Sequence, residues 1–342
     1  MNIKLIDSMK NSTQNKLIIA ALLVLCLPFV SCTTKENGKP SSGGKTLEML
    51  VVTDGNFWSG VVGDSIRAYF LQIQPGLNQP ESIYDVASLP EETFLDADMF
   101  QHHRNILIID IKSKNPKDEL QIRKDFWAAP QHVFKFSVRS QAAFFKLFNE
   151  KRELILKTFY QTERERISNA FRQTQNPKLK NEFRNMYKLD MIIPEGFNFA
   201  VKKDNFCWLR KETKDFSQGI LLYSFPYSDT SIFENKEILK RRDSITKAYI
   251  PGPSNGSFMT SEKRFDPPFS KAINLNGLYA VETRGLWKLE HDFMGGPFLN
   301  YVLVDEKNKR ALMIDAYLYN PRRAKRDLLM QLEAIIYSLS LK

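Results

Sequence analysis

Seven consecutive residues limit the fold of this chain more than any others. Asn105-Ile106-Leu107-Ile108-Ile109-Asp110-Ile111 is apolar at odd and even positions alike. Successive side chains of a strand point to opposite faces, so a strand apolar on both must be covered on both, as the central strand of a parallel or mixed sheet is. The segment ahead of it completes a unit. Residues 47–52 form a short apolar run stopped by Asp54-Gly55. Asn56 can cap a helix in which Val62, Ile66, Tyr69, Phe70 and Ile73 recur at helical spacing before Pro75-Gly76. A β-α-β opening of this kind predicts a mixed α/β sheet.

Residues 131–138 alternate, with Val133, Phe134, Phe136 and Val138 predicting a strand, and residues 141–174 then turn helical and highly charged. Phe144, Leu147, Phe148, Ile155, Phe159 and Ile167 give the helix an apolar stripe. Lys151, Arg152, Glu153, Glu163, Arg164, Glu165 and Arg166 are expected to face water as ion pairs on a solvated face. Asn176-Pro177 breaks the helix, and a shorter helical stretch leads to Asp190, where a domain boundary is expected.

Strands and turns follow at 192–201, 206–210 and 219–225, then a helix from 232 to about 248 ended by Tyr249-Ile250-Pro251-Gly252-Pro253. A strand at 277–283 precedes a hairpin of 298–304 with 310–319. Asn320 and Pro321 should start a last helix with Ala324, Leu328, Leu332, Ile335 and Leu339 as its buried stripe. The expectation is an α/β (α+β) protein of two domains. Residues 47–190 would hold a mixed sheet with helices, and residues 191–342 a mainly antiparallel sheet packed by helices.

Residues 1–31 are read as a lipoprotein signal peptide. A Lys-bearing start is followed by an apolar run over 17–30 and by Ser31-Cys32, and the run is shorter than the ~20 apolar residues of a permanent span. Cys32 is expected to open the mature chain, acylated and embedded in a membrane. Residues 32–46, with Gly38, Pro40, Ser41, Ser42, Gly43 and Gly44, should form a flexible tether. Phe29-Val30-Ser31-Cys32 departs from the usual signal, which has Leu three positions before the cysteine. Thr33 stands where Asp would signal inner-membrane retention, and Lys35-Glu36 matches an acidic surface-export tract poorly. By analogy the expected location is the outer membrane of a cell envelope, facing the periplasm.

The net charge is +10, and +8 once the signal is removed, with 46 basic against 38 acidic residues. An exported protein does not meet nucleic acid, so none is expected as partner. The counter-charge would be anionic lipid or cell-wall polymer, or the basic surface has no partner at all. With Cys26 lost and Cys32 lipidated, only Cys207 remains in the body, so no intramolecular disulfide can form. In Phe206-Cys207-Trp208-Leu209 it reads as a small core residue.

Several phrases carry a resemblance: Asp54-Gly55 with Phe57-Trp58-Ser59-Gly60, Asp125-Phe126-Trp127-Ala128-Ala129-Pro130-Gln131, Ile250-Pro251-Gly252-Pro253 with Gly256-Ser257-Phe258-Met259, Arg284-Gly285-Leu286-Trp287, and Asp292-Phe293-Met294-Gly295-Gly296-Pro297-Phe298. Together, over about 47–339, they resemble the Bacteroidota lipoproteins grouped as domain of unknown function 4837. The resemblance implies an exported, lipid-anchored protein of a Gram-negative envelope and no assigned activity or cofactor. Ile193-Pro194-Glu195-Gly196-Phe197, the closing hairpin and the last helix make the second half similar to PsbP and Mog1 domains. Those are non-catalytic binding or assembly modules.

The densest polar and glycine-rich stretch is 282–297. Arg284, Trp287, His291, Asp292, Gly295 and Gly296 are its candidate binding residues: a guanidinium for carboxylate or phosphate, an aromatic platform, and glycines that let a ligand or another strand approach. The alternative is a bulged hairpin whose tryptophan packs in the core. A hydrolase of an envelope polymer would use Glu290, His291 and Asp292 for acid-base work. His102, His103, His132 and His291 lack metal-ligand spacing, and no metal or cofactor is expected. The favoured function is a lipid-anchored, non-catalytic binding or assembly factor, held by the lipid on Cys32 and engaging an envelope protein or cell-wall ligand.

Overall fold

The computed structural model describes residues 38–342; the signal peptide, Cys32 and the tether as far as residue 37 lie outside the described residues. The rest of the expected tether is not free. The Ala129 amide donates to Pro40 O at 2.9 Å, Ser42 Oγ to Pro130 O at 2.7 Å and the Gly43 amide to His102 O at 2.8 Å. A segment without large apolar residues is thus held by its own backbone polar groups, which composition does not reveal.

The first half builds a five-stranded sheet from β1 (Glu48–Val52), β2 (Asp85–Leu89), β3 (Asn105–Ile111), β4 (Glu119–Lys124) and β5 (His132–Val138). Their order is β2-β1-β3-β5-β4, parallel throughout except for the antiparallel edge strand β4. Strand β3, apolar on both faces, is at the centre, as expected. Asp54, not Asn56, caps the first helix, α1 (Gly55–Ser59), its carboxylate accepting from the Asn56 amide at 2.8 Å. With α2 (Val61–Phe70) and the long α5 (Gln141–Gln173), it lies on the face built from Met49, Val51, Leu107, Phe134 and Phe136. The short α3 (Glu91–Asp96) and α4 (Asp98–Gln101) bring Phe94 and Phe100, with Trp127, over Leu50, Ile106 and Val133 on the other face.

Ser140 caps α5, and Phe144, Phe148, Ile155 and Phe159 are buried along it. The charged stripe needs correction. Glu163 is fully buried, and the side chains of Arg164 and Arg166 are only 19% and 13% exposed. Glu163 accepts from Arg104 Nη1 at 3.0 Å, Arg166 Nη1 at 2.7 Å and Asn105 Nδ2 at 2.9 Å. A buried carboxylate is tolerable only when compensated in this way.

The second half is an eight-stranded antiparallel sheet. Its strands are β7 (Asn198–Lys203), β8 (Phe206–Glu212), β9 (Ser217–Pro226), β10 (Phe258–Ser261), β11 (Phe269–Leu275), β12 (Leu278–Glu290), β13 (Gly295–Asp305) and β14 (Arg310–Tyr319). They run in the order β10-β12-β13-β14-β9-β8-β7, with β11 also paired along β12. Two short strands, β6 (Leu189–Asp190) and β15 (Ser340–Leu341), pair apart from it. Helices α6 (Pro177–Tyr187) and α8 (Arg326–Ile336) cover one face, where Phe183, Leu332 and Ile335 meet Leu209, Leu299 and Leu312. Helix α7 (Asn235–Tyr249) lies over the other, setting Ile238, Leu239 and Ile245 against Phe206, Leu221 and Met313. Because α6 packs on this sheet, the change of layer falls at Asn176-Pro177, ahead of the expected boundary at 190.

The last helix also starts later than expected. Residues 321–325 form a turn in which Asn320 Nδ2 donates to Ala324 O at 2.7 Å. The amides of Lys325 and Arg326 donate to the Glu81 carboxylate at 2.8 and 3.0 Å, so the first half of the chain caps a helix of the second. Unpaired amides and the positive end of the helix dipole both favour an anion there. Among the described residues no helix is long and apolar enough to cross a membrane.

Candidate functional site

The stretch 282–297 is a hairpin of β12 and β13, and it does not bring its candidate residues together. Arg284 and Trp287 are an odd number of positions apart on one strand, so they lie on opposite faces of the sheet. Arg284 faces the side covered by α8. Its guanidinium donates to Glu282 at 2.7 and 3.1 Å and to Glu333 at 2.6 Å, and Glu333 also accepts from Arg164 Nη1 at 2.8 Å. Burial pushes the Glu282 carboxyl up, but Arg284, Lys271 and the Tyr301 hydroxyl outweigh it and hold the group at about 2. Burial alone would lower the Arg284 pKa; Glu282 and Glu333 instead raise it well above its ordinary value. Arg284 is therefore a junction between the two halves and is not a free guanidinium for a ligand.

The other candidates sit at the tip of the hairpin or in its pairing. His291 is exposed, with a left-handed φ of 63° in the turn, Glu290 pairs with Lys288, and Asp292 accepts from Ser254 Oγ at 2.6 Å. Backbone donors and the Ser254 hydroxyl keep the Asp292 carboxyl below the usual range. Glu290 and Asp292 are thus held by different partners and do not share a reacting centre with His291. Gly295 and Gly296 admit neighbouring backbone: a Cβ on Gly296 would stand 2.1 Å from Leu318 O, and one on Gly295 2.9 Å from Trp287 O. Of the two approaches the sequence left open, it is the strand that uses them.

Trp287 leads to the site that the whole-chain geometry does build. Only 3% exposed, it donates from Nε1 to Leu318 O at 3.1 Å and meets Tyr317 edge-on with centroids 5.7 Å apart, with Tyr319 at 6.2 Å. Tyr317 sits above Gly219 of β9, where a Cβ would fall 2.1 Å from the ring; glycine alone leaves room. Beyond these rings opens a cleft of about 520 Å³. Trp208, Phe216, Trp287, Met294, Tyr317 and Tyr319 line it, the loop Pro251-Gly252-Pro253 closes one side, and Arg210, Glu212, Lys214 and Asp215 stand on its rim. Three of the phrases that carry the family resemblance, those at 250–253, 284–287 and 292–298, contribute lining residues.

The chemistry offered here is that of binding. On the charged rim, Arg210 is paired to Glu212 and Asp215 to Arg323. Cys207 lies in the opposite core, and burial pushes its thiol up to about 12, out of reach of nucleophilic work near neutrality. Two donors of strand β8 are buried: Trp208 Nε1 lies against the Tyr317 hydroxyl, and Arg210 Nε finds no acceptor among the described residues. Among the described residues no group of three or more His, Cys, Asp or Glu side chains is placed to hold a metal ion. Of the lining, sequence reasoning reached Trp287 and missed Trp208, Phe216, Tyr317 and Tyr319. The signal was present in Tyr317 and Tyr319, two aromatics at the same-face spacing of one strand.

Comparison with known proteins gives families before functions. Residues 176–338 match the family described as domain of unknown function DUF4837, and residues 42–172 match a second, domain of unknown function DUF8532. The phrases at 54–60 and 125–131, read above as part of one resemblance over 47–339, fall in the second family's range. No curated protein matches the chain. Similar solved structures include the Ran-binding protein Mog1p of Saccharomyces cerevisiae, with 8% identity and a TM-score of 0.31 over 45% of this chain and 90% of that one. Another is LpqN, involved in cell envelope biogenesis of Mycobacterium tuberculosis, with 10% identity and a TM-score of 0.28 over 45% of this chain and 83% of that one. Likenesses this distant carry no functional argument. Over residues 176–338 the chain is thus similar to the family described as domain of unknown function DUF4837, and over residues 42–172 to DUF8532.

Proposed function

We propose that the protein is a lipid-anchored factor of the cell envelope that works by binding and not by catalysis, and that the aromatic cleft is its binding surface. One observation carries the reading: the largest concentration of aromatic side chains around open space lies where no nucleophile or acid-base pair is poised. The runner-up, hydrolysis by Glu290, His291 and Asp292, is disfavoured because neither this cleft nor the adjoining one is lined by any of the three. The anchor is read from the sequence alone. An apolar leader ending Ser31-Cys32 gives an acylated cysteine as the attachment, and more than one acyl chain is needed to hold a protein stably in a bilayer. Facing the periplasm from the outer membrane remains the expected orientation.

Fractionation of cells tests both parts. Cys32→Ala should leave a folded body released from the membrane, and Tyr319→Ala should stay membrane-bound while losing function. A Cys32→Ala product that remains fully in the membrane overturns the anchor. Full function of Tyr319→Ala overturns the cleft.

A further inference from the structure

The pinned part of the tether ends beside an apolar surface of the first half. The Lys39 ammonium donates to Asp125 O, the Ala129 amide donates to Pro40 O, and the residue after Asp125 is the exposed Phe126. The Phe126 ring meets Trp127 edge-on with centroids 4.5 Å apart, and Trp127 meets Phe94 of α3 at 5.3 Å. Leu95, the next residue of α3, lines with Trp127 a hollow of about 140 Å³ over Val52, Ile108 and Val133, and its own side chain is largely in water. Met99 is exposed on the adjoining α4. Apolar side chains gathered in water around one point mark a surface that meets something else.

Resting on the anchor read from Ser31-Cys32, we propose that this face, Leu95 with Phe126 and Trp127, lies against the surface of a zwitterionic phospholipid bilayer. Three observations select that occupant. First, Cys32 stands seven positions before Lys39, and a chain extends by at most ~3.6 Å per residue, so an acylated cysteine lies within about 25 Å of Lys39. A body held so close meets the bilayer at high effective concentration, and a weak apolar contact is enough to seat it. Second, the Arg123 guanidinium lies over the Phe126 ring at 4.4 Å. That pairing suits the boundary between acyl chains and headgroups, where rings enter the apolar layer and arginine reaches outward to phosphate along its stem. Third, Lys39, Arg123 and Lys124 are exposed around the face, and so are Glu92, Asp96 and Asp98 of α3 and α4. Charges of both signs match headgroups that carry both, whereas a purely anionic surface would repel the carboxylates. Lipid and face together orient the body on the membrane as well as retaining it there.

The test uses the mature lipidated protein in vesicles of phosphatidylcholine and phosphatidylethanolamine whose acyl chains are brominated and quench tryptophan on contact. Phe126→Trp places a reporter on the face, and Leu154→Trp places one at an exposed position of α5. The emission added by Phe126→Trp should fall at least two-fold relative to unbrominated vesicles, and that added by Leu154→Trp should stay as it is. Salt at about 1 M, which screens exposed charges beyond about 3 Å, should leave the quenching unchanged, as should added phosphatidylglycerol. Leu95→Asp should weaken it several-fold at an unchanged melting temperature. Quenching at 154 alone or at neither position, with the Cys32→Ala chain released from the vesicles, overturns the face and leaves the anchor standing. A Cys32→Ala chain that stays on the vesicles and is quenched at 126 removes the anchor and keeps the face. A several-fold rise with phosphatidylglycerol overturns the zwitterionic surface. A Phe126→Trp emission that answers to protein density and not to bromine puts a second copy of the chain on the face and overturns the bilayer.

Discussion

The two faces of the eight-stranded sheet are built from the same strands and end in different states. On the face under α6 and α8, the charged groups are locked: Arg284 and Arg164 converge on Glu333, and Glu282 takes Arg284 and Tyr301. On the opposite face, α7 covers one part of the sheet, and Trp208, Trp287, Tyr317 and Tyr319 border open space beside it. Strand β12 serves both, with Arg284 turned one way and Trp287 the other. Within this sheet, then, one face is assembled by buried ion pairs and the other keeps aromatic side chains beside open space.

The strongest way to break the contrast is to strip the locked face. Glu333→Ala leaves two guanidiniums without their shared carboxylate and should cost about 3 to 5 kcal/mol, measured by denaturant unfolding. The cleft should still bind below the lowered melting temperature. If the variant unfolds like the wild type, the junction is not what holds the halves together.

Next in size is pH. The Glu282 carboxyl is held at about 2 when folded, against roughly 4.3 in an unfolded chain. A depressed carboxylate contributes stability above the unfolded value and loses it as pH falls from there toward 2, here roughly 3 kcal/mol. Stability curves of wild type and Glu282→Gln should differ in slope within that window and run parallel above pH 5. A smaller loss, about 1 kcal/mol, is expected for Glu81→Ala, which removes the carboxylate that caps α8.

At the small end, Phe293→Ala should change stability by no more than about 0.5 kcal/mol, since the side chain touches solvent on all sides. A loss of binding without loss of stability is what distinguishes the open face from the locked one. A marked melting shift in this variant would assign Phe293 to the fold.

Legibility followed the range of the interactions. The central strand 105–111 and the helix over 141–174 declared themselves through local pattern, since burial on two faces and an apolar stripe at helical spacing are written in neighbouring residues. Glu163, Arg164 and Arg166 did not. Glu163 and Arg166, at i, i+3 spacing, have the pattern of an ion pair on a solvated face, and the partner that buries Arg164 is Glu333, 169 positions along the chain. The start of α8 was misplaced for the same reason: Asn320-Pro321 is a sound local signal, overruled by Glu81, 244 positions before Lys325. In the site, the density of polar and glycine residues over 282–297 groups Arg284 with Trp287. Read as a strand, their odd spacing already separates them, and pairs such as Tyr317 with Tyr319 point to the open face.

Photo-crosslinking in living cells puts the central claim to its most direct test. A photoreactive residue at position 293, which lines the opening adjoining the aromatic cleft, is compared with one at position 154, an exposed leucine on α5. The account predicts a discrete adduct from 293, lost when Tyr319→Ala is added, and none from 154. Adducts from 154 with none from 293 would place the working surface on the helical half and contradict the account.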